Sequence, residues 1–220
     1  PAPIAPAPIA TAPIAPAPIA PAPIAAVPLD DPSNIRIAPA SNGDAGSAAL
    51  DRGNHLYSRK MYDLAIPEYE LFLISSTNSP SRDAALFRVA ECHRMAGNSS
   101  AARSAYEKLL SEFKAGEFAA AGAYRLGEIH FAEKHFEPAF LQFDLASSGV
   151  GDPEVRLSAA YFAARSLDAL KKDDMAEERY RAVLAASGTN PYHDNAGIAL
   201  AALQLRNGKK TSALSTLANL

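Results

Sequence analysis

Five alanines recur at a constant spacing of 37 residues along most of this chain, at Ala65, Ala102, Ala139, Ala176 and Ala213. A large side chain follows each of them four residues later, at Tyr69, Tyr106, Phe143, Tyr180 and Leu217. A glycine or alanine precedes each of them by twelve residues, at Gly53, Ala90, Gly127, Ala164 and Ala201. Three positions that repeat in one register predict a stack of identical supersecondary units.

Within each unit, apolar and small residues recur at spacings of three and four, as at Leu86, Val89, Ala90 and His93. This period predicts amphipathic helices and no strands. Each unit is interrupted once, most clearly at Gly97-Asn98 and Asn207-Gly208, where glycine suits a residue just past a helix end. We therefore expect an all-α fold, an α-solenoid of about five helix-turn-helix repeats. The repeats are predicted at about 47–79, 80–116, 117–153, 154–190 and 191–220.

Proline and capping residues predict where the helices begin. Ser79-Pro80, Asp152-Pro153 and Asn190-Pro191 each pair a favoured N-cap residue with a proline suited to the first turn. Asp174 and Glu177 are interpreted as a capping pair, and Pro67 and Pro138 are expected close to the start of second helices.

The small residue of each first helix should let the second helix approach closely, and the following ring should fill the gap between units. A bulky residue at Gly127 is therefore expected to separate two helices.

Residues 1–46 differ from the rest, since they contain no aromatic residue and twelve of the seventeen prolines. Residues 1–25 are five copies of Pro-Ala-Pro-Ile-Ala with one exchange, Thr11. Proline prevents helix and sheet from propagating, so we expect a disordered, extended Pro/Ala-rich linker. It is interpreted as a tether; a Pro-rich ligand for a partner's groove and a dispensable low-complexity run are the alternatives.

Composition limits the functions that this chain can have. The net charge of −3 is too mild to suggest a nucleic-acid partner. No stretch approaches the roughly 18 to 20 apolar residues that a membrane span needs. Cys92 is the single cysteine, so no intrachain disulfide can form.

The pattern resembles the tetratricopeptide repeat (TPR), a family whose signature places Leu-Gly, an aromatic residue, Ala and Phe at set intervals. Leu126, Gly127, Ala139 and Phe143 carry the best match, and the resemblance covers about residues 47–220. The chain departs from the family in having no Trp and a period of 37 where about 34 is usual. The repeats also resemble those of bacterial envelope TPR proteins.

The resemblance implies a binding groove formed by the first helix of each unit. In the family, the positions 15, 11 and 8 residues before the repeated alanine face the concave groove. In this chain they are Leu50, Asn54, Tyr57, Phe87, Glu91, Arg94, Tyr124, Glu128, Phe131, Tyr161, Arg165, Asp168, Ile198, Ala202 and Leu205. Aromatic residues and arginine are typical of recognition surfaces.

Ordinary packing is the alternative interpretation of these positions. Glu91 with Arg94 and Arg165 with Asp168 are spaced to neutralise each other on a helix, and the rings can pack against the adjacent unit. Of the family's carboxylate-clamp pattern only Asn54 is present, so we do not expect a chaperone C-terminus as ligand.

No residues are predicted to carry catalysis, bind a metal or hold a cofactor. Cys92 and His93 are adjacent on a helix and point about 100° apart, so they are not expected to bind one ion. His93 and His130 are interpreted as core or boundary residues, and His135 and His193 as solvated.

The sequence therefore predicts a non-enzymatic scaffold that binds a protein or peptide in a concave groove and is tethered by its Pro/Ala spacer. A periplasmic or cell-envelope location is favoured. The alternative is an assembly element that self-associates through an apolar edge formed by Leu214, Leu217 and Leu220, unless the native chain continues and covers that edge.

Overall fold

The computed structural model describes residues 45–150 and 152–220. These residues form helices and no strand, as the sequence predicts. The linker predicted for residues 1–46 lies outside the described residues, except that Ala45 and Gly46 are the first two residues of the first helix. None of the described helices is both long enough and apolar enough to cross a lipid bilayer.

The described residues form ten helices, which alternate as the first and second helix of five pairs. The first helices are α1 (Ala45–Ser58), α3 (Arg82–Met95), α5 (Ala119–Ala132), α7 (Pro153–Ala169) and α9 (His193–Arg206). The second helices are α2 (Tyr62–Ser75), α4 (Ser99–Glu112), α6 (Phe136–Ser148), α8 (Asp173–Leu184) and α10 (Lys210–Ala218). All first helices end, and all second helices begin, at the 37-residue spacing.

The turn inside each unit is a Schellman motif. In the first unit, the Met61 amide donates to the Leu56 carbonyl (3.0 Å) and the Lys60 amide donates to the Tyr57 carbonyl (2.8 Å). The same two bonds close the other four turns. The motif needs one residue with positive φ, between 60° and 81° here, at Lys60, Gly97, Lys134, Lys171 and Gly208. The two predicted glycines are confirmed. The three lysines adopt the same positive φ, which destabilises the fold by roughly 1 kcal/mol relative to a glycine at that position.

The connections between units use the side chain before each proline. Asp152 caps α7 by accepting from the Glu154 amide at 2.8 Å, which confirms that predicted start. Asn190 accepts from the Tyr192 amide and Ser79 accepts from the Ser81 amide in the same way. However, α9 and α3 begin three residues after Asn190 and Ser79, so these two residues cap a preceding turn and not the helix, which corrects the prediction.

Two expectations about the second helices were wrong. Asp174 does not cap α8, whose N-cap is Lys172, and no side chain there accepts a capping hydrogen bond. Glu177 instead accepts a hydrogen bond from Lys209 of the next unit (2.8 Å). Pro138 is the third residue of α6, as expected, but Pro67 lies inside α2, where an amide would normally donate to the preceding turn.

The close approach of paired helices at the small residue is confirmed. A Cβ atom at Gly127 would lie 2.8 Å from two ring carbons of Phe143, and one at Gly53 would lie 2.9 Å from Tyr69. Phe143 also stacks on Phe162 of the next unit, with ring centroids 5.5 Å apart. The ring therefore fills space both within its own unit and between units.

Candidate functional site

The first helices of successive units meet along one continuous surface, which we call the first-helix face. Helices α5 and α7 contact each other directly, although α6 lies between them in sequence. The Ser158 hydroxyl of α7 donates to the Tyr124 hydroxyl of α5 at 2.9 Å, and Arg206 of α9 pairs with Asp168 of α7 at 2.7 Å. Side chains at the predicted groove positions form much of this contact.

The structure divides the predicted groove residues by accessibility. Six are buried in the array: Leu50, Tyr57, Phe87, Glu91, Tyr124 and Tyr161. Seven are half-buried: Asn54, Arg94, Glu128, Phe131, Arg165, Asp168 and Ala202. Two in the fifth unit are exposed: Ile198 and Leu205. A partner at this face therefore contacts the positions 11 and 8 residues before the repeated alanine in preference to the position 15 residues before it.

The register of each helix explains this division. Leu50 lies three residues before Gly53, the position that the second helix packs against, so the two share one side of the helix. Phe87, Tyr124 and Tyr161 occupy the same register and are buried in the same way. Most of the aromatic side chains at the predicted groove positions are therefore buried by packing, which was the alternative interpretation of the sequence.

A charged cluster occupies the centre of the first-helix face. The Arg94 guanidinium donates twice to the Glu91 carboxylate, with Nε–Oε1 and Nη2–Oε2 distances of 3.0 and 2.8 Å. The Tyr106 hydroxyl of α4 donates to the same carboxylate. Arg125 of α5 lies 3.6 Å from Glu91 and pairs with Glu128 at 2.8 Å. The cluster joins two units through groups that would be costly to bury alone.

The two glutamates of this cluster respond differently to their surroundings. Burial alone would raise the pKa of Glu91, but Arg94, Arg125 and Tyr106 together lower it below its ordinary value. Burial raises the pKa of Glu128, and Arg125 only partly offsets it. Glu91 is therefore held as an anion by its partners, whereas Glu128 is the more easily protonated of the two.

Aromatic rings surround Arg165 next to this cluster. Its guanidinium carbon lies 5.2 Å from the ring centroid of Phe131, 5.9 Å from that of Tyr161 and 5.7 Å from that of Phe162. Arg165 and Phe131 are half-buried, so parts of both remain accessible. One turn further, Asp168 shares Arg206 with Asp173, at 2.7 Å in each case. Charged and apolar groups thus alternate along the accessible surface.

Comparison with known proteins gives structural neighbours only. No protein-family model matches the chain, and no curated protein sequence matches it. Among solved structures, MamA aligns with a TM-score of 0.64 and 18% identity over 80% of this chain and 90% of the other. YrrB, described as a TPR protein with an unusual peptide-binding site, aligns with a TM-score of 0.62 and 19% identity, covering 80% and 84%. Nearly identical TPR-like repeats from Podosopora anserina align at 0.56 and 16%, covering 81% and 95%.

These alignments span nearly the whole of each solved chain, and they agree with the helix pairs described above. The chain has a tetratricopeptide-repeat fold. The resemblance predicted from Leu126, Gly127, Ala139 and Phe143 is thereby confirmed at the level of structure. At these identities the likeness concerns the fold alone.

Sequence reasoning missed three arginines of the first helices. Arg88 and Arg125 are buried, and Arg88 lies over the Tyr57 ring with its guanidinium carbon 4.2 Å from the centroid. Arg206 joins the fourth and fifth units through Asp168. The signal for two of them was present, because Arg88 and Arg125 are separated by the 37-residue period and each precedes a stripe glutamate by three residues.

The single cysteine of this TPR fold and its histidines differ in burial. Cys92 is fully buried, and burial raises the pKa of its thiol to about 12. A thiol that stays protonated at neutral pH is a poor nucleophile and a poor metal ligand. His93 and His130 are half-buried, while His135 is exposed. The expected boundary positions of the first two are confirmed.

Proposed function

We propose that this chain is a non-catalytic scaffold that binds a peptide segment of a protein partner along its first-helix face. The observation that carries the proposal is the half-buried Arg165, whose guanidinium lies over the rings of Phe131 and Tyr161. Arginine and aromatic residues concentrate at the energetically important centres of interfaces. The similar structure of YrrB, a TPR protein with an unusual peptide-binding site, supports the same function.

The accessible residues favour a partner segment of mixed chemistry. Arg94 and Arg165 offer positive charge, Glu128 and Asp168 offer negative charge, and Phe131 offers an apolar contact. Arg94, Glu128 and Asp168 already form ion pairs with Glu91, Arg125 and Arg206, so a strongly acidic or basic ligand gains little. We expect a segment that presents alternating apolar and charged side chains and that exchanges existing ion pairs for its own.

The test uses the full chain and a displayed library of random peptides. Selected peptides are measured for affinity to the wild type and to the double variant Arg165→Gln and Asp168→Asn. We expect the variant to bind at least about tenfold more weakly, since loss of buried or half-buried charge contacts commonly costs 2 kcal/mol or more. Replacing Tyr124 or Tyr161 is unsuitable, because both are buried and the fold would be damaged.

A matched control exists on the second helices. Arg179 of α8 and Asp144 of α6 form an ion pair at 2.6 Å away from the first-helix face. The double variant Arg179→Gln and Asp144→Asn removes the same chemical groups and should bind the peptides as the wild type does. Equal binding by both double variants would exclude the first-helix face as the binding site.

Self-association is the second candidate function. Leu214, Leu217 and Leu220 are all exposed at the α10 end of the array. Exposed apolar groups in one patch mark interaction surfaces. Light scattering over a range of concentrations tests this function, with Leu217→Asp as the comparison; a wild-type chain that stays monomeric throughout would eliminate it.

The tether formed by residues 1–46 and the cell-envelope location remain predictions from the sequence. They are compatible with a scaffold that is held at a distance from an anchoring point.

A further inference from the structure

The turn between α5 and α6 brings together two imidazoles and one carboxylate. One ligand atom from each of His130, Glu133 and His135 lies within 4.8 Å of the corresponding atoms of the other two. Nδ1 of His135 is 3.3 Å from Oε2 of Glu133, and the two imidazole centroids are 6.3 Å apart. This grouping lies at the edge of the array, and the scaffold function proposed above does not use it.

The backbone of the Schellman turn creates this grouping. The His135 amide donates to the His130 carbonyl at 2.8 Å, so residues five apart in sequence are fixed side by side. Glu133 lies between them at the C-cap of α5. Because the turn is held by several backbone bonds, binding of an ion would not require the three groups to be gathered from a flexible chain.

The same turn occurs in all five units, yet only one copy among the described residues carries three possible ligands. The equivalent triplets are Leu56, Arg59 and Met61; His93, Ala96 and Asn98; Leu167, Leu170 and Lys172; and Gln204, Asn207 and Lys209. The fold does not demand histidine or glutamate at these positions. The third unit therefore differs from its neighbours in chemistry and not in backbone geometry.

The neighbouring charges leave the required atoms available. Arg103 of α4 pairs with Oε1 of Glu133, which leaves Oε2 facing His135. An arginine on the second oxygen can orient a ligating carboxylate, as outer partners commonly do. The charge of Arg103 opposes a cation near His130, whereas those of Glu133 and Glu107 favour one. The last carbonyls of α5 also favour a positive charge at this end of the helix.

We propose that His130, Glu133 and His135 form a binding site for a divalent transition-metal ion, with zinc as the best match. Two imidazole nitrogens and one carboxylate oxygen are a common three-ligand set for zinc, whose fourth position is then filled by water or by a group from a partner. The absence of a metal site was predicted from Cys92 and His93 on one helix and from the lack of a known metal motif, whereas these three ligands lie on both sides of a helix end.

The test is a titration of the untagged full chain, first dialysed against a chelator, with ZnCl₂ in a calorimeter and with CoCl₂ by visible absorbance. We expect one ion per chain with a dissociation constant in the micromolar range. His135→Gln and Glu133→Gln should each weaken binding by about tenfold or more. Since His135 and Glu133 are exposed, these variants should keep the helical circular dichroism of the wild type.

His193→Gln is the matched control. His193 lies 3.2 Å from Asp194 in an exposed pair that has no third ligand among the described residues, so this variant should bind zinc as the wild type does. The melting temperature of the wild type should also rise with zinc, and that of His135→Gln should not. Absence of binding at about 1 mM zinc, far above the expected constant, would overturn the site. So would binding that His130→Gln and His135→Gln leave unchanged.

Discussion

The hydroxyl group of Tyr106 donates a hydrogen bond to the carboxylate of Glu91, and both side chains are fully buried. One unit earlier, Tyr69 donates to Oδ1 of Asn54 at 2.9 Å across the same register. In both cases the ring of the second helix reaches a groove position of the first helix. The same geometry thus serves a charged acceptor in one unit and a neutral acceptor in the other.

These two hydrogen bonds predict that removing the tyrosine hydroxyl group lowers the free energy of unfolding by different amounts in the two units. Tyr106→Phe should lower the free energy of unfolding by about 2 to 3 kcal/mol, because a hydrogen bond to a buried charge is lost. Tyr69→Phe should cost only about 1 kcal/mol, since its acceptor is neutral. Urea unfolding of both variants measures the difference. Equal costs would show that the charge of Glu91 is balanced by Arg94 and Arg125 without help from Tyr106.

The opposite pKa shifts of Glu91 and Glu128 predict opposite effects of acid. A carboxyl group whose pKa is lower in the folded state stabilises the fold above its ordinary value of 4.5, and this contribution is lost as the pH falls toward the folded pKa. The wild type should therefore lose stability more steeply than Glu91→Gln between about pH 5 and pH 3.

Glu128→Gln provides the opposite comparison. Because the pKa of Glu128 is raised, the folded state gains stability as the pH falls through that raised value toward 4.5. Removing the group should therefore remove a gain on acidification, and the variant should lose stability more steeply than the wild type in that window. Denaturant melts at several pH values test both variants. Parallel pH profiles for all three proteins would contradict the assigned shifts.

The positive φ of Lys60 predicts that replacing it with glycine increases stability. Lys60 is exposed and has φ of 61°, where glycine avoids the steric cost of a Cβ atom. Lys60→Gly should raise the free energy of unfolding by up to about 1 kcal/mol. Gly97→Ala, at the same register with φ of 81°, should lower it by a similar amount. A loss on Lys60→Gly would show that the flexibility of glycine in the unfolded chain outweighs the strain.

Much of the fold followed from the repeat register alone. Gly97 and Gly208 marked two of the five turns, and aligning the units at 37 residues places Lys60, Lys134 and Lys171 at the same point. Local sequence could not show this, because lysine has no preference for positive φ. Similarly, periodicity identified the predicted groove positions but not which of them would be buried. Phe87 and Tyr124 contact rings of their own unit's second helix and also residues of the next unit, Phe118 and Ser158, so no single helix encodes their burial.

The contact between Gly127 and Phe143 predicts a loss of stability that helix propensity opposes. Gly127→Ala places a Cβ atom about 2.8 Å from two ring carbons, and Phe143 cannot easily move because it is buried against Phe162. Overpacking of this kind typically costs 1 to 3 kcal/mol, whereas alanine gains about 1 kcal/mol over glycine inside a helix. We therefore expect a net loss of roughly 1 kcal/mol in urea unfolding. In a Phe143→Leu background, where the ring is absent, Gly127→Ala should become neutral or stabilising. If the substitution costs the same in both backgrounds, the ring is not what requires glycine at this position.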